Sequence, residues 1–181
     1  MIALIYGRRC GTSTLTAALS SEGVPLRGPL DTAPMATNPE GHYENIEARV
    51  LNFQILRKYG VASNMGGEIP PQPMQALSEW IDEHPKPFVI KNPNCAWTFP
   101  VWQSSTNRPF IGVWCRRDVE QQAQSLTKYG MTLEDARVAV QRYEEAAQRM
   151  SDMIPHIVVD VSDVDRVEKV KRFLQEHQIG V

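Results

Sequence analysis

The sequence IALIYGRRCGTSTLTAAL, Ile2–Leu19, contains an apolar run, a glycine-bounded loop and the start of a helical pattern. Residues Ile2–Tyr6 show no polar alternation, which is typical of a parallel strand covered on both faces. Gly7 ends this run, and Gly11 allows a ligand to approach the backbone closely. The stretch therefore predicts a strand, a phosphate loop and a helix in succession.

The loop has the composition of an anion-binding site. Thr12, Ser13 and Thr14 offer hydroxyl groups, and the helix that follows directs its N–H groups and the positive end of its dipole toward the loop. Positive charge comes from Arg8 and Arg9. The alternative is a plain turn between an ordinary strand and helix, because short glycine patterns also arise by chance.

Two familiar phosphate loops do not fit this sequence. The nucleoside triphosphatase pattern requires four residues between two glycines and then a lysine. Gly7 and Gly11 are separated by only three residues, and Thr12 stands at the lysine position. A tyrosine phosphatase loop requires an arginine six residues after its cysteine, but Thr16 stands six after Cys10. The pattern thus predicts an anion without identifying it.

Length and composition are typical of one globular domain covering residues 1–181, with 42% hydrophobic and 22% charged residues. A net charge of −2 gives no reason to expect nucleic acid or a membrane surface as partner. Cys10, Cys95 and Cys115 are odd in number and lack metal-ligand spacing, which favours a reducing compartment and predicts no metal. With neither a signal peptide nor a bilayer-spanning stretch recognisable, we expect a cytoplasmic protein.

Strand and helix patterns alternate along the rest of the chain. Buried strands are predicted at Phe88–Ile90, Pro109–Cys115 and His156–Val161. Helices are predicted at Ile46–Tyr59 capped by Asn45, Met74–His84, Cys95–Trp102, Asp118–Lys128, Leu133–Met150 capped by Thr132, and Val164–Leu174 capped by Ser162. Loops are predicted at Gly23–Pro39 and Val61–Pro73. This order indicates an α/β, three-layer P-loop fold with a central parallel sheet flanked by helices.

Polar clusters fall where three of these strands end. They are the loop after Gly7, the segment Lys91–Asn94, and the pair Arg116 and Arg117. Ligands of such folds bind outside the carboxyl ends of the strands. We therefore expect the three clusters to converge on one site.

These motifs resemble those of sulfotransferases that use 3′-phosphoadenosine 5′-phosphosulfate. GRRCGTST is similar to the family's 5′-phosphosulfate loop, and RDVEQQAQSL is similar to its 3′-phosphate motif, in which a serine follows an arginine by eight residues, as Ser125 follows Arg117. NPEGHYEN and KNPN resemble two further segments of bacterial members. The resemblance implies transfer of a sulfuryl group to a hydroxyl or amine of a small-molecule or glycan acceptor, with adenosine 3′,5′-bisphosphate as product and no metal.

The resemblance also implies roles for single residues. The cofactor would be bound by Arg8, Arg9, Cys10, Gly11, Thr12, Ser13, Thr14, Arg117 and Ser125. Arg9 would neutralise the leaving phosphate, and Lys91 would steady the sulfuryl oxygens. Glu44 is the favoured catalytic base, and His42 is the alternative, since its ordinary pKa suits neutral pH better. Glu44 would otherwise be a carboxylate placed favourably near a helix start.

The sequence departs from the family pattern at several positions. Cys10 replaces a serine, Asn92 and Asn94 replace an aspartate and an arginine, and Val119 replaces a proline. The glycine-rich loop that closes over the nucleotide in many relatives is not recognisable. Two alternatives therefore stay open: a nucleotide-binding module without turnover, and a small nucleotide kinase, against which Thr12 argues. The acceptor and the oligomeric state have no readable signal.

Overall fold

The computed structural model describes residues 1–34, 41–63 and 65–180. The first three residues of the NPEGHYEN segment, 38–40, lie outside the described residues, as does part of each predicted loop. The described elements are β1 Ile2–Tyr6, α1 Thr12–Ser21, β2 Leu30–Asp31, β3 Glu44–Asn45, α2 Ile46–Lys58, α3 Gln75–Asp82, β4 Phe88–Lys91, α4 Cys95–Ser104, β5 Phe110–Arg116, α5 Val119–Thr127, α6 Leu133–Met153, β6 His156–Asp160 and α7 Arg166–Glu176.

The main sheet has the strand order β4-β1-β5-β6, and all its neighbouring strands are parallel. Strand β1 is central, because Ile2 is aligned with Phe88 on one side and with Phe110 on the other. The predicted α/β fold with a central parallel sheet is confirmed. All five β1 residues are buried, as expected for a strand covered on both faces.

Helices cover the two faces of the sheet with different side chains. Leu4 and Tyr6 point into a large, aromatic-rich core shared with helices α2, α3, α4 and α6. Ala3 and Ile5, which alternate with them along β1, point into a smaller aliphatic core shared with α1 and α7. This alternation produces the predicted three layers.

Two predicted helix caps are confirmed and one is wrong. Asn45 accepts a hydrogen bond from the Ala48 N–H (2.6 Å), and Thr132 accepts one from the Asp135 N–H (3.1 Å). Ser162 does not begin a helix. Its hydroxyl bonds back to Asp160 (2.6 Å), and α7 begins only at Arg166, because a local side-chain contact competes with the helical turn.

The predicted loop Gly23–Pro39 contains a strand that the sequence did not indicate. Leu30–Asp31 pairs antiparallel with Glu44–Asn45, forming a separate two-stranded ribbon. Two residues are too few to show the period-2 alternation from which a strand is recognised. The ribbon matters because it carries Glu44 to the edge of the main sheet.

Candidate functional site

The loop between β1 and α1 has a backbone that few residue types permit. Gly7 has φ 139°, and a Cβ atom there would lie 2.3 Å from the Cys115 carbonyl oxygen. Gly11 has φ 67° and directly precedes α1. Arg9, between them, also has a positive φ of 57°. These angles wrap the loop tightly around the positive end of α1.

A buried tyrosine fixes the start of this loop. The Tyr143 hydroxyl of α6 accepts a hydrogen bond from the Gly7 N–H (3.0 Å) and donates one to the Pro93 carbonyl (2.8 Å). It therefore ties the loop to the turn after β4. The sequence places Tyr143 only within the predicted helix Leu133–Met150, since no motif distinguishes such a hydroxyl from a core side chain.

A cleft of about 470 Å³ opens above the loop at the carboxyl ends of β1, β4 and β5. The predicted convergence of the loop with Lys91 and Arg117 is observed. The cleft is lined by every predicted site residue: Arg8, Arg9, Cys10, Gly11, Thr12, Ser13, Thr14, His42, Glu44, Lys91, Arg117 and Ser125.

Lys91 is the most deeply buried charge in the cleft. Only 3% of the residue is exposed, and its ammonium donates hydrogen bonds to the His42 carbonyl (2.6 Å), Ser13 Oγ (3.3 Å) and Glu44 Oε1 (3.3 Å). Burial lowers the pKa of Lys91, and the Glu44 carboxylate opposes that shift. A lysine that ends a strand is usually solvated, but this one is built into the site.

The Glu44 carboxylate is held at both oxygens. Oε1 accepts from Lys91, and Oε2 accepts from Asn92 Nδ2 (3.2 Å), whose residue is fully buried. The side chain of Glu44 is 13% exposed, so the carboxylate keeps access to the cleft. Asn92, which the sequence presented only as a departure from a family pattern, orients this carboxylate.

The opposite wall of the cleft is formed by α5 and the residues after it. Arg9 donates to Ser125 Oγ (2.8 Å) and to the Tyr129 hydroxyl (2.8 Å), and its guanidinium lies 5.0 Å from the centre of the Tyr129 ring. Arg117 bonds instead to Gln121 (2.8 Å). Ser125 is therefore paired with Arg9 and not with Arg117.

Arg8 extends away from Arg9. Its NH1 group donates to the carbonyl oxygen of Ser63, in the segment after α2 (2.8 Å). Cys10 is 1% exposed, its thiol donates to the Arg8 carbonyl (2.9 Å), and burial raises the pKa of that thiol well above its usual value. Cys10 is thus a small packed thiol and not an activated nucleophile.

Comparison with known proteins gives only structural matches. No protein-family model and no curated protein matches the chain. Three matching solved structures are of deoxyadenosine kinase from M. mycoides: with bound dATP (TM-score 0.51, 16% identity), with the products dCMP and a flexible dCDP (0.53, 14%), and with bound dCTP (0.51, 15%). Each match covers 97% of this chain and 100% of the kinase. At this identity the likeness shows the fold.

The sulfotransferase interpretation is wrong by this comparison, and so is 3′-phosphoadenosine 5′-phosphosulfate as its cofactor. The structures that match over nearly the whole chain are nucleoside kinases, whose bound molecules are deoxynucleotides. Arg117 and Ser125, expected to bind a 3′-phosphate together, both line the cleft, where Ser125 accepts from Arg9 and Arg117 donates to Gln121. An arginine-to-serine spacing along a chain does not determine which arginine the serine contacts.

Among residues 1–34, 41–63 and 65–180, no three His, Cys, Asp or Glu side chains are grouped so that they could hold a metal ion. Over the same ranges, no helix has both the length and the hydrophobicity that a membrane crossing requires.

Proposed function

We propose that the chain is a small nucleotide kinase, which transfers a phosphoryl group from a nucleoside triphosphate to a hydroxyl of a small-molecule acceptor. The observation that carries the proposal is the position of Lys91. Its ammonium lies 3.3 Å from Ser13 Oγ, next to Thr12, where the nucleoside triphosphatase pattern has its lysine. Strand β4 thus supplies a lysine beside the position where the loop has Thr12 instead of one.

Phosphoryl transfer depends on positioning and on stabilising charge at the transferred group. The loop and the N-terminus of α1 would hold the phosphates, with Arg9 and Lys91 as cations on opposite walls. The acceptor oxygen would bond to the γ-phosphorus as the bond from that phosphorus to the β–γ bridging oxygen breaks. Glu44 would accept the proton of the acceptor hydroxyl, and a nucleoside diphosphate would leave.

The fold suggests the first ligands to test. The structural neighbours bind dATP and dCTP and form dCMP, so adenine and cytosine deoxynucleotides are reasonable donors or products for this chain as well. Their identity to this chain is too low to assign a base or a sugar.

The described residues do not fit a magnesium ion at the loop. Mg²⁺ usually binds phosphates together with one or two protein oxygens, and the hydroxyl after the pattern's lysine is one of them. Ser13 occupies that position, but it donates to the His42 carbonyl (3.1 Å) and lies 3.3 Å from the Lys91 ammonium. A divalent cation at Ser13 would meet that positive charge, so we assign no step to a metal.

A nucleotide-binding module without turnover is the second candidate. It is favoured by the two hydrogen bonds that Glu44 accepts from Lys91 and Asn92, because both carboxylate oxygens are already engaged and an acceptor hydroxyl would have to compete with these donors. Both candidates require the same nucleotide-binding cleft. They differ in whether a phosphoryl group leaves it.

The test has a binding step and a transfer step. Thermal unfolding should shift upward with ATP, dATP or ADP, each tested with and without magnesium. Single-turnover transfer from ATP labelled at the γ-phosphate is then measured on a panel of nucleosides and nucleotides. Glu176→Gln, which changes an exposed glutamate on α7, is the control for Glu44→Gln.

Each result decides between the candidates. Labelled product with the parent protein and its loss in Glu44→Gln support the kinase. Tight triphosphate binding without transfer to any acceptor supports the binding module. Stabilisation by adenosine 3′,5′-bisphosphate and by neither ATP, dATP nor ADP would contradict the kinase and leave only a nucleotide-binding module of a different specificity.

A further inference from the structure

Two adjacent arginines of the loop point to opposite walls of the cleft. The left-handed backbone at Arg9 directs its side chain to Ser125 and Tyr129 on the α5 side. Arg8 reaches the carbonyl of Ser63 on the α2 side. The cleft therefore has a cationic group on each side of the phosphate loop, and a single triphosphate bound along the loop does not need both.

Arg8 has unused capacity for an anion. A guanidinium offers five N–H donors in a planar fork, and the contact with Ser63 uses one nitrogen. Within the described part of the chain, no carboxylate lies within ion-pairing distance of Arg8. Burial lowers the pKa of Arg8, although an arginine stays charged at neutral pH. A partly desolvated cation without a carboxylate is stabilised when an anion binds beside it.

The same side of the cleft provides an apolar surface. Phe53 of α2 lines the cleft and is 48% exposed, which is unusual for a phenylalanine on a helix that packs against the core. An exposed aromatic face and a cation that line the same cleft suit ligands with a flat ring and an anionic group, because the ring stacks and the anion pairs.

We infer that Arg8 and Phe53 form an acceptor subsite for a nucleoside monophosphate that is phosphorylated on a free sugar hydroxyl. The acceptor's own phosphate binds Arg8, its base packs on Phe53, and its hydroxyl faces Glu44. The hydroxyl oxygen bonds to the γ-phosphorus, its proton passes to Glu44, and the donor leaves as a diphosphate. The inference rests on the proposed function of the cleft and assigns Arg8 to the acceptor instead of the donor.

The inference is tested by acceptor binding to protein saturated with a non-hydrolysable ATP analogue. Isothermal titration calorimetry compares adenosine, adenosine 5′-monophosphate and adenosine 3′-monophosphate, which differ in the presence and place of the anion. At least one monophosphate should bind about 10- to 100-fold more tightly than adenosine, the usual gain from a charged hydrogen-bonding partner. Arg8→Gln should remove that preference.

Matched variants distinguish an effect of the Arg8 charge on binding from a general loss of folding. Arg8→Lys keeps the positive charge but not the planar arrangement of guanidinium donors, so it should lose part of the preference for a monophosphate over adenosine. Arg172→Gln, which changes an exposed arginine on α7, should leave it intact. If Arg8→Gln does not fold, Phe53→Ala replaces an exposed ring and should weaken the binding of adenosine and of the monophosphate by the same factor, about 5- to 150-fold, through loss of stacking.

The outcomes distinguish this inference from the proposed function. Equal affinity of the parent protein for adenosine and both monophosphates, or equal losses for all three in Arg8→Gln, would overturn the subsite. Transfer from ATP to adenosine as fast as to a monophosphate would keep the kinase and reject the subsite. Arg8-dependent binding of a monophosphate without any transfer would keep the subsite and reject the kinase.

Discussion

The two walls of the cleft hold their positive charges in different environments. One wall, the β4 wall, contains Lys91 and Glu44. Lys91 is buried there, and the charges of Lys91 and Glu44 stabilise each other as an ion pair. On the α5 wall, Arg9 bonds to Ser125 and Tyr129 in contacts that are partly or fully exposed. Removing one partner of a buried ion pair is costly, whereas exposed contacts are replaced by water. The β4 wall should therefore support both folding and chemistry, and the α5 wall only binding.

The largest effect is expected on the β4 wall, at the proposed base. Glu44→Gln keeps the size of the side chain but cannot accept a proton, so turnover should fall by about 10²- to 10⁴-fold. His42→Ala should cost much less. Single-turnover transfer with an accepted substrate measures both, at saturating ATP and with folding checked by circular dichroism. Collapse in His42→Ala with near-parental Glu44→Gln would give the base role to the histidine.

The next effect tests whether the same wall supports folding. Lys91→Met should lower the free energy of unfolding by about 3 to 5 kcal/mol, because it leaves the Glu44 carboxylate without its buried partner. Urea unfolding measures the change. The double variant Lys91→Met/Glu44→Gln should recover part of the loss, while Arg9→Met on the α5 wall should change stability by less than about 1 kcal/mol. Equal destabilisation by Lys91→Met and Arg9→Met would remove the distinction between the walls.

Tyr143 belongs to neither wall, because its hydroxyl holds the loop between β1 and α1 that lies between them. Tyr143→Phe removes the partner of the Gly7 N–H and the Pro93 carbonyl and should cost about 1 to 3 kcal/mol in stability. Tyr6→Phe is the control, because its hydroxyl is also buried but bonds to Ser151. ATP affinity, measured by calorimetry, should fall several-fold only in Tyr143→Phe. Equal affinities in the two variants would make Tyr143 a stability residue alone.

The smallest effect is expected on the α5 wall. Ser125→Ala removes one acceptor of Arg9, while Tyr129 retains the other. ATP affinity should fall by a factor corresponding to at most about 1 kcal/mol, and stability should be unchanged. Calorimetry and urea unfolding measure the two quantities. A loss in the free energy of unfolding as large as that of Lys91→Met would show that the α5 wall contains a charge network comparable to the buried ion pair.

Local sequence signals predicted most of the elements that surround the site. The apolar run before Gly7, the hydroxyl-rich loop and the caps at Asn45 and Thr132 each depend on neighbouring residues, so a linear pattern contains them. Such patterns failed where an element is very short or where one local contact replaces another. The β2–β3 ribbon is too short for a periodic signal, and Ser162 bonds to Asp160 instead of beginning α7.

The motif spacing likewise did not show how the polar residues of the site are paired. The spacing of Arg117 and Ser125 matches a known pattern, but spacing along a helix does not reveal a third residue that competes for the serine. Arg9 reaches Ser125 from the loop after β1, more than one hundred residues earlier in the chain. The absence of a lysine at Thr12 was likewise judged within the loop, whereas Lys91 approaches from β4.

The sequence by itself determined that a glycine-bounded, hydroxyl-rich loop joins the first strand to a helix and that several polar clusters end neighbouring strands, since parallel strands bring their carboxyl ends to one edge. Only the tertiary structure decided how the charges are paired. Lys91 is joined to Glu44, Arg9 is joined to Ser125, and Arg8 extends toward the segment after α2. The physical reason is that hydrogen bonds and ion pairs act over a few ångströms in space, and the groups they join here come from separate elements whose proximity is set by packing.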